Sequence, residues 1–365
     1  MSRLKIGVLT FHRCINYGSY WQARCLVESL RTAGHDAVLL DHNSKRINLA
    51  EWKCAYQPVL PIEVPAEDYP LYRKKIENFF KAFDELPLSN CFSLEQPGEM
   101  EYYDVVIIGS DEVWNLFHPW YGGNGFFYGE GIKAGLIISY AASFGNYPAV
   151  NGLPAEYAEK LFQNFNKISV RDENSKTIIS NALGIESPIV LDPCLAFPII
   201  EHLQQKVIPW QQPYVAVYGH NFSETFARNI KKWAAHRNLP LVSIGYRNEW
   251  ADKQWLTAGP REFAHFISQS EAVVTNFFHG CIFSLRFQKP FACESSAYRS
   301  IKVSELMVKI GGQKHLLNSH ATLNECHKLL DHSIDKNILE NILRLRQQSV
   351  NYLESSVPCL HHQTA

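Results

Sequence analysis

The stretch AVVTNFFHGCIFSLRFQKPFACE, residues 272–294, decides the fold. It reads as a short apolar run (272–275), the turn Asn276-Phe277-Phe278-His279-Gly280, an apolar segment of helix length (281–287) and a second apolar run (290–293). That succession is the pattern of a βαβ unit. In an open α/β sheet such a turn lies at the carboxyl end of its strand, where ligands bind. The N–H groups that open the following helix suit an anion. His279 and Gly280 therefore read either as ligand-holding residues or as a packed loop pair, and spacing leaves both open.

The same alternation runs outward in both directions. Before it come apolar runs at 4–10, 37–41, 104–108, 136–141, 167–170 and 189–191, then 214–218 and 240–244. Helical spacing appears at 19–33, 69–84, 154–165, 224–237 and 261–268, and after the opening stretch at 302–310 and 335–354. In the first of these, Tyr20, Ala23, Val27 and Leu30 predict one buried stripe, with Gly34 as the residue that ends the helix. Strands alternating with helices predict an α/β protein with parallel sheets. At 365 residues the chain is long for one core. The polar, proline-containing segment 202–213 is the expected boundary between a domain at 1–200 and one at 210–330. The last helix and tail, 335–365, are expected to pack back on the first domain. Segments 51–65 and 122–131 read as loops, the second at the surface.

Composition narrows the function. Apolar residues make up 46% and charged residues 19%, with a formal net charge of −1. No basic run marks a nucleic-acid binder, so an anionic ligand has to be held by local groups. No apolar stretch reaches the ~18 residues of a membrane span, and MSRLKIGVLTF lacks the pattern of a signal peptide. Nine cysteines without C-x-x-C pairs point to reduced thiols and a cytoplasmic location. His361-His362 is too isolated for a metal site. The chain also lacks G-x-G-x-x-G and G-x-x-x-x-G-K-[ST], which argues against a dinucleotide fold or P-loop.

Several strand ends carry polar groups. Asp111 and Glu112 follow the 104–108 run and read either as holders of a hydroxylated ligand or as a helix cap. Arg171 follows the 167–170 run beside two acids, as a ligand group or half of a surface ion pair. Asp192-Pro193 reads as a chain turn.

Six segments, in order, resemble the polysaccharide pyruvyltransferase family: GVLTFHRCINYGSYWQA (7–23), DVVIIGSDEVWN (104–115), SYAASFG (139–145), ISVRDENS (168–175), VLDPCL (190–195) and VVTNFFHGCIFSLRFQKPF (273–291). The likeness spans roughly residues 4–311. It implies two Rossmann-like parallel-sheet domains facing a cleft, similar to glycosyltransferases of the B type. The implied reaction moves the enolpyruvyl unit of phosphoenolpyruvate onto two hydroxyls of a sugar in a polysaccharide or glycolipid precursor. A pyruvate ketal forms and phosphate leaves. Neither cofactor nor metal is implied. Arg171 and His279 match the family's arginine and histidine, as catalytic and donor-binding residues. Gly280, Asn276, Lys289 and Arg299 are further donor-side candidates. Asn16, Tyr17, Gln22, Asp111 and Glu112 are the acceptor-side candidates. A lipid-linked acceptor would place the protein at the inner face of the cell membrane. Tyr20-Trp21 and Glu112 depart from the family's common pattern, which touches the acceptor side first. A sugar-nucleotide glycosyltransferase is the alternative reading, and a non-catalytic sugar-binding protein the third.

Overall fold

A computed structural model of the chain describes residues 3–199, 208–209, 211–295 and 300–357. Arg299, His361-His362 and most of the expected boundary segment lie outside the described residues. In the N-terminal half, β1 (Lys5–Leu9), α1 (Tyr17–Thr32), β2 (Asp36–Leu39), β3 (His42–Asn43), α2 (Lys45–Tyr56) and α3 (Tyr69–Phe83) come first. They are followed by β4 (Phe92–Ser93), β5 (Tyr103–Ile108), β6 (Ala134–Ser139), α4 (Ala155–Asn164), α5 (Glu173–Leu183) and α6 (Pro193–Ala196). The main sheet has the order β2-β1-β5-β6, all parallel. Single bridges from Ile138 to Lys167, Ala142 to Val170 and Val170 to Ile189 carry it two runs further. The expected strands at 167–170 and 189–191 are thus present only as bridges.

The C-terminal half contains β7 (Val215–Tyr218), α7 (Glu224–His236), β8 (Leu241–Ile244), β9 (Lys253–Trp255), α8 (Pro260–Gln269) and β10 (Ala272–Thr275). After these come α9 (Phe278–Arg286), β11 (Phe291–Glu294), α10 (Ser300–Ile310), β12 (Leu316–Leu317), α11 (Leu323–Leu330) and α12 (Lys336–Ser356). Its six strands run in the order β12-β11-β10-β7-β8-β9, again all parallel. VAVY, LVSI, AVVT and FACE are buried at every position. That is why these strands read as unbroken apolar runs: helices cover both faces of a parallel sheet.

Three expectations change. Residues 45–56 form α2, whereas the segment from 51 was read as loop. The helix has little apolar periodicity because it buries only Ile47. Phe126, Phe127 and Tyr128, in the expected surface loop, are buried. The Phe127 carbonyl accepts the Trp114 indole N–H at 2.8 Å, and the Tyr128 hydroxyl donates to the Trp114 carbonyl at 2.8 Å. Helix α1 has no single stripe: every residue from Tyr17 to Val27 is buried. A helix buried on all sides sits inside a protein rather than on its surface, and α1 lies between the two halves.

Contacts across the halves start from α1 and α3. The Tyr17 hydroxyl donates to the Ala258 carbonyl at 2.7 Å, and its ring stacks on Phe263 with centroids 4.5 Å apart. The Trp21 indole donates to the Pro260 carbonyl at 2.8 Å. Arg247 makes a two-pronged ion pair with Asp68, whose side chain has no exposure. Helix α12 returns to the N-terminal half: the Leu191 N–H donates to Ser349 Oγ at 2.9 Å, and the Tyr352 hydroxyl donates to the Ser139 carbonyl at 2.9 Å.

Removing one partner of a buried ion pair strands the other charge. Arg247→Met is therefore expected to lower stability by about 3–5 kcal/mol in urea unfolding; a loss well under ~1 kcal/mol would show that Asp68 is hydrated or neutral in the fold.

Candidate active site

The two sheets present the carboxyl ends of their strands to each other, the place where open α/β sheets bind ligands. Bridges between Asp111 and Ala142 and between Ala142 and Val170 align the strand ends of the N-terminal half. Asp111, Gly145, Asn146 and Arg171 follow from them onto one wall. Tyr218, His220, Tyr246, Phe277, Phe278 and His279 follow β7, β8 and β10 on the other. These groups, with Asn16, Ser19, Glu112 and Lys302, enclose a cleft of about 290 Å³.

At its centre, three side chains from distant parts of the chain meet. Arg171 Nη1 lies 3.1 Å from Asp192 Oδ2, and His279 Nε2 lies 3.5 Å from the same oxygen. The Cys194 N–H donates to Asp192 Oδ1 at 2.9 Å. Burial pushes the Asp192 carboxyl up, but the neighbouring His279 and Arg171 and that N–H outweigh it. The group is held well below the usual carboxylate range. Arg171 also approaches Asp111 Oδ1 at 3.9 Å, and its guanidinium lies 5.1 Å from the centre of the Phe278 ring. Yet Arg171 Nε and His279 Nε2 are buried without a hydrogen-bond partner. Buried polar atoms are seldom left so, and these two belong to the cleft-lining residues.

Local backbone explains how the groups come so close. His279 stands in the first turn of α9, and the start of that helix, Phe278 and His279, lines the cleft. A Cβ on Gly18 would fall 1.9 Å from His279 Nδ1, so only glycine lets the imidazole lie against the start of α1. Asn16 caps that start, accepting the Gly18 and Ser19 N–H groups at 2.8 and 3.3 Å. The Ser19 hydroxyl donates to Asp111 Oδ2 at 2.7 Å. Asp111 has φ +79°, a left-handed conformation costly for a non-glycine residue, held here by the sheet ends on either side. Lys302 of α10 pairs with Glu112 across the cleft, and Asn115 Nδ2 donates to the second Glu112 oxygen at 2.6 Å. Burial lowers the Lys302 ammonium to about 8 despite the charge of Asp111.

A wider chamber of about 570 Å³ continues from the cleft past Asn16, Ser19, Asp111, Glu112 and Asn146. Phe117, Trp120 and Tyr246 give it aromatic faces, and Glu51 an acid. Burial raises the Glu51 carboxyl to about 7, although the Cys14 thiol donates to it at 2.9 Å. Asp192, Cys194 and His279 hold donor atoms within 4.8 Å of one another. Arg171 already occupies the Asp192 carboxylate, and burial pushes the Cys194 thiol up, so it stays protonated. Both features disfavour a cation there.

Residues 16–297 match the family model described as polysaccharide pyruvyl transferase. The chain belongs to this family. No curated protein matches it. Among solved structures, the UDP-GlcNAc 2-epimerase of Methanocaldococcus jannaschii is similar at 12% identity and TM-score 0.50, covering 97% of this chain and 100% of that one. The S. aureus MnaA–UDP structure is similar at 11% identity and TM-score 0.51, covering 96% and 95%. At these identities the likeness concerns the fold, two Rossmann-like sheets of the GT-B type.

Within the family's cleft the structure brings together His279, Arg171, Asn16, Asp111 and Glu112. Tyr17 and Gln22 are not in its lining: Tyr17 is spent on the contact between the halves, and Gln22 donates inward to Thr10 Oγ1 at 2.8 Å. Asn276 does not line it either, but its amide donates to the His220 carbonyl at 2.7 Å and so shapes the wall. Gly280 is a packing glycine, since a Cβ there would fall 2.0 Å from Thr275 Oγ1. Lys289 lies beyond the far end of nine-residue α9, whose last residue, Arg286, is already about 10 Å along the helix from His279. Asp192 and Lys302 were not anticipated. Asp192 stands at a strand end like Arg171, a signal that its proline disguised as a turn. Lys302 lies within a helical pattern and carried no signal.

Lys302 should govern anion binding above neutrality. As pH rises through about 8 its charge is lost, and affinity for sulfate, a dianion throughout this range, is expected to fall. Lys302→Gln should remove that limb in calorimetric titration; an unchanged limb would assign it to another group.

Proposed function

We propose that the protein transfers the enolpyruvyl unit of phosphoenolpyruvate to two hydroxyls of a saccharide acceptor, releasing phosphate and leaving a pyruvate ketal. The observation that carries this reading is the convergence of Arg171 and His279, both lining the cleft, on one buried carboxylate. Phosphoenolpyruvate brings a carboxylate and a phosphate. A guanidinium binds either one two-pronged, and the first-turn N–H groups of α9 and the Lys302 ammonium supply further donors.

The chemistry needs one proton delivered and two removed. His279, as general acid, gives a proton to the methylene carbon. The adjacent carbon becomes oxocarbenium-like and is attacked by a first sugar hydroxyl. Phosphate then leaves with its bridging oxygen, and the second hydroxyl closes the ring. Asp192 holds His279 and Arg171 in place. Asp111 and Glu112, facing the chamber, accept hydrogen bonds from sugar hydroxyls, and Phe117, Trp120 and Tyr246 offer stacking faces. No helix among the described residues is long and apolar enough to cross a membrane. The acceptor, a polysaccharide precursor soluble or lipid-linked, would be met from the cytoplasmic side.

Phosphate release from phosphoenolpyruvate with a panel of sugar acceptors tests the reading. His279→Gln is expected to reduce acceptor-dependent release by about a hundredfold or more. Arg171→Lys keeps the charge but loses the fork, and should act mainly on KM for phosphoenolpyruvate. Thermal melts separate these effects from unfolding. No release with any acceptor, together with stabilisation by a sugar nucleotide, would replace the proposal with a glycosyltransferase.

A further inference from the structure

Helix α2 presents an unusual outer face. Of its twelve residues only Ile47 is buried. Lys45, Leu49, Trp52 and Tyr56 recur at helical spacing on one side, and the Trp52 and Tyr56 rings stack with centroids 4.9 Å apart. Leu49 is 51% and Trp52 38% exposed; in the strap that follows, Val59 is 82% and Ile62 60% exposed. Lys45, Arg46 and Lys53 are exposed around them, and Arg46 also reaches the Trp120 carbonyl at 3.0 Å. The helix's one acid, Glu51, turns inward to Cys14. Glu63, the strap's acid, lines a separate groove with Arg247.

The opposite side of the same segment walls the acceptor chamber. Glu51, Cys54, Ala55 and Pro58 line it, and the exposed Val59 stands at its edge. One short helix therefore separates the chamber from an apolar, cationic surface, in a chain whose net charge is only −1. Exposed aliphatic and indole groups ringed by lysine and arginine fit the boundary of an anionic bilayer, where apolar atoms enter the acyl edge and cations meet the headgroups. A second copy fits poorly: a two-fold contact would set Lys45, Arg46 and Lys53 against themselves.

We propose that the outer face of α2 and the strap at 57–65 dock on an anionic lipid bilayer, placing the mouth of the acceptor chamber at the membrane surface. The acceptor class that follows is a saccharide carried by a membrane lipid, taken up directly from the bilayer. This last step rests on the reading of the chamber given above. The docking is read without turnover, so either can fail alone.

Co-sedimentation of the full chain with phosphatidylglycerol-containing vesicles tests it. Wild type is expected to bind these vesicles and not pure phosphatidylcholine, with binding weakened by salt. Lys45→Gln with Lys53→Gln should lower partitioning about fivefold for each charge removed, and Leu49→Gln with Trp52→Gln should abolish it. Phe162→Gln, on α4 and 73% exposed, should change nothing. The proposal is overturned if wild type does not bind, if both double variants bind like wild type, or if Phe162→Gln is equally impaired. It is also overturned if the wild type forms a dimer in sedimentation velocity that Leu49→Gln/Trp52→Gln dissolves.

Discussion

The carboxylate of Asp192 is the point on which the site turns. A buried anion is tolerated only when its charge is met by partners. Here the partners come from both halves of the protein: Arg171 and the Cys194 N–H from the first, His279 from the second. The same desolvation that makes the carboxylate costly alone makes its pairing strong, so it draws two cationic or protonatable groups to one oxygen. Arg171 Nε is left without a hydrogen-bond partner, and His279 Nε2 has only the 3.5 Å approach to this carboxylate. The charge balance of the cleft follows: Arg171, His279 and Lys302 stand among Asp111, Glu112 and Asp192. Anions are selected by placement of groups rather than by any net field.

Keeping that junction in register requires the halves to be fixed relative to each other, and the fold does this at several heights. Helix α1 is buried between them and offers hydrogen bonds from Tyr17 and Trp21 to the backbone around α8. The Asp68–Arg247 pair clamps the side away from α12, while α12 crosses back to the strand ends near Leu191. Because Leu191 immediately precedes Asp192, the last helix of the chain bears on the central carboxylate through one hydrogen bond.

The alternating architecture was legible because parallel strands covered on both faces leave continuous apolar runs, and the helices between them leave regular spacing. Residues 272–294 gave strand, turn and helix with boundaries close to those of β10, α9 and β11. Reading failed where a helix buries nearly everything or nearly nothing. The first case is α1, expected to bury one stripe: Tyr17 and Gln22, acceptor-side candidates by the family likeness, point inward because the helix is buried on all sides. The second is α2, whose outward apolar groups break the expected pattern. At the site, His279, Arg171, Asp111, Glu112 and Asn16 were marked by their strand ends and by the family likeness. Lys302 was not, since a cation in a helix pattern looks the same whether it faces water or a cleft. Lys289 follows the end of α9 while His279 stands at its start, so the helix carries the two apart.

The absent side chain at Gly18 has a consequence for the joint between the halves. The imidazole of His279 rests on that bare stretch of backbone, while the guanidinium it works beside is anchored in the other sheet. The imidazole and the guanidinium are therefore neighbours only through the contact between the halves. Neither half alone holds both groups, so what fixes α1 against α8 also fixes the pair. Gly18, which touches no ligand itself, is thus as much a condition of the junction at Asp192 as the side chains that meet there.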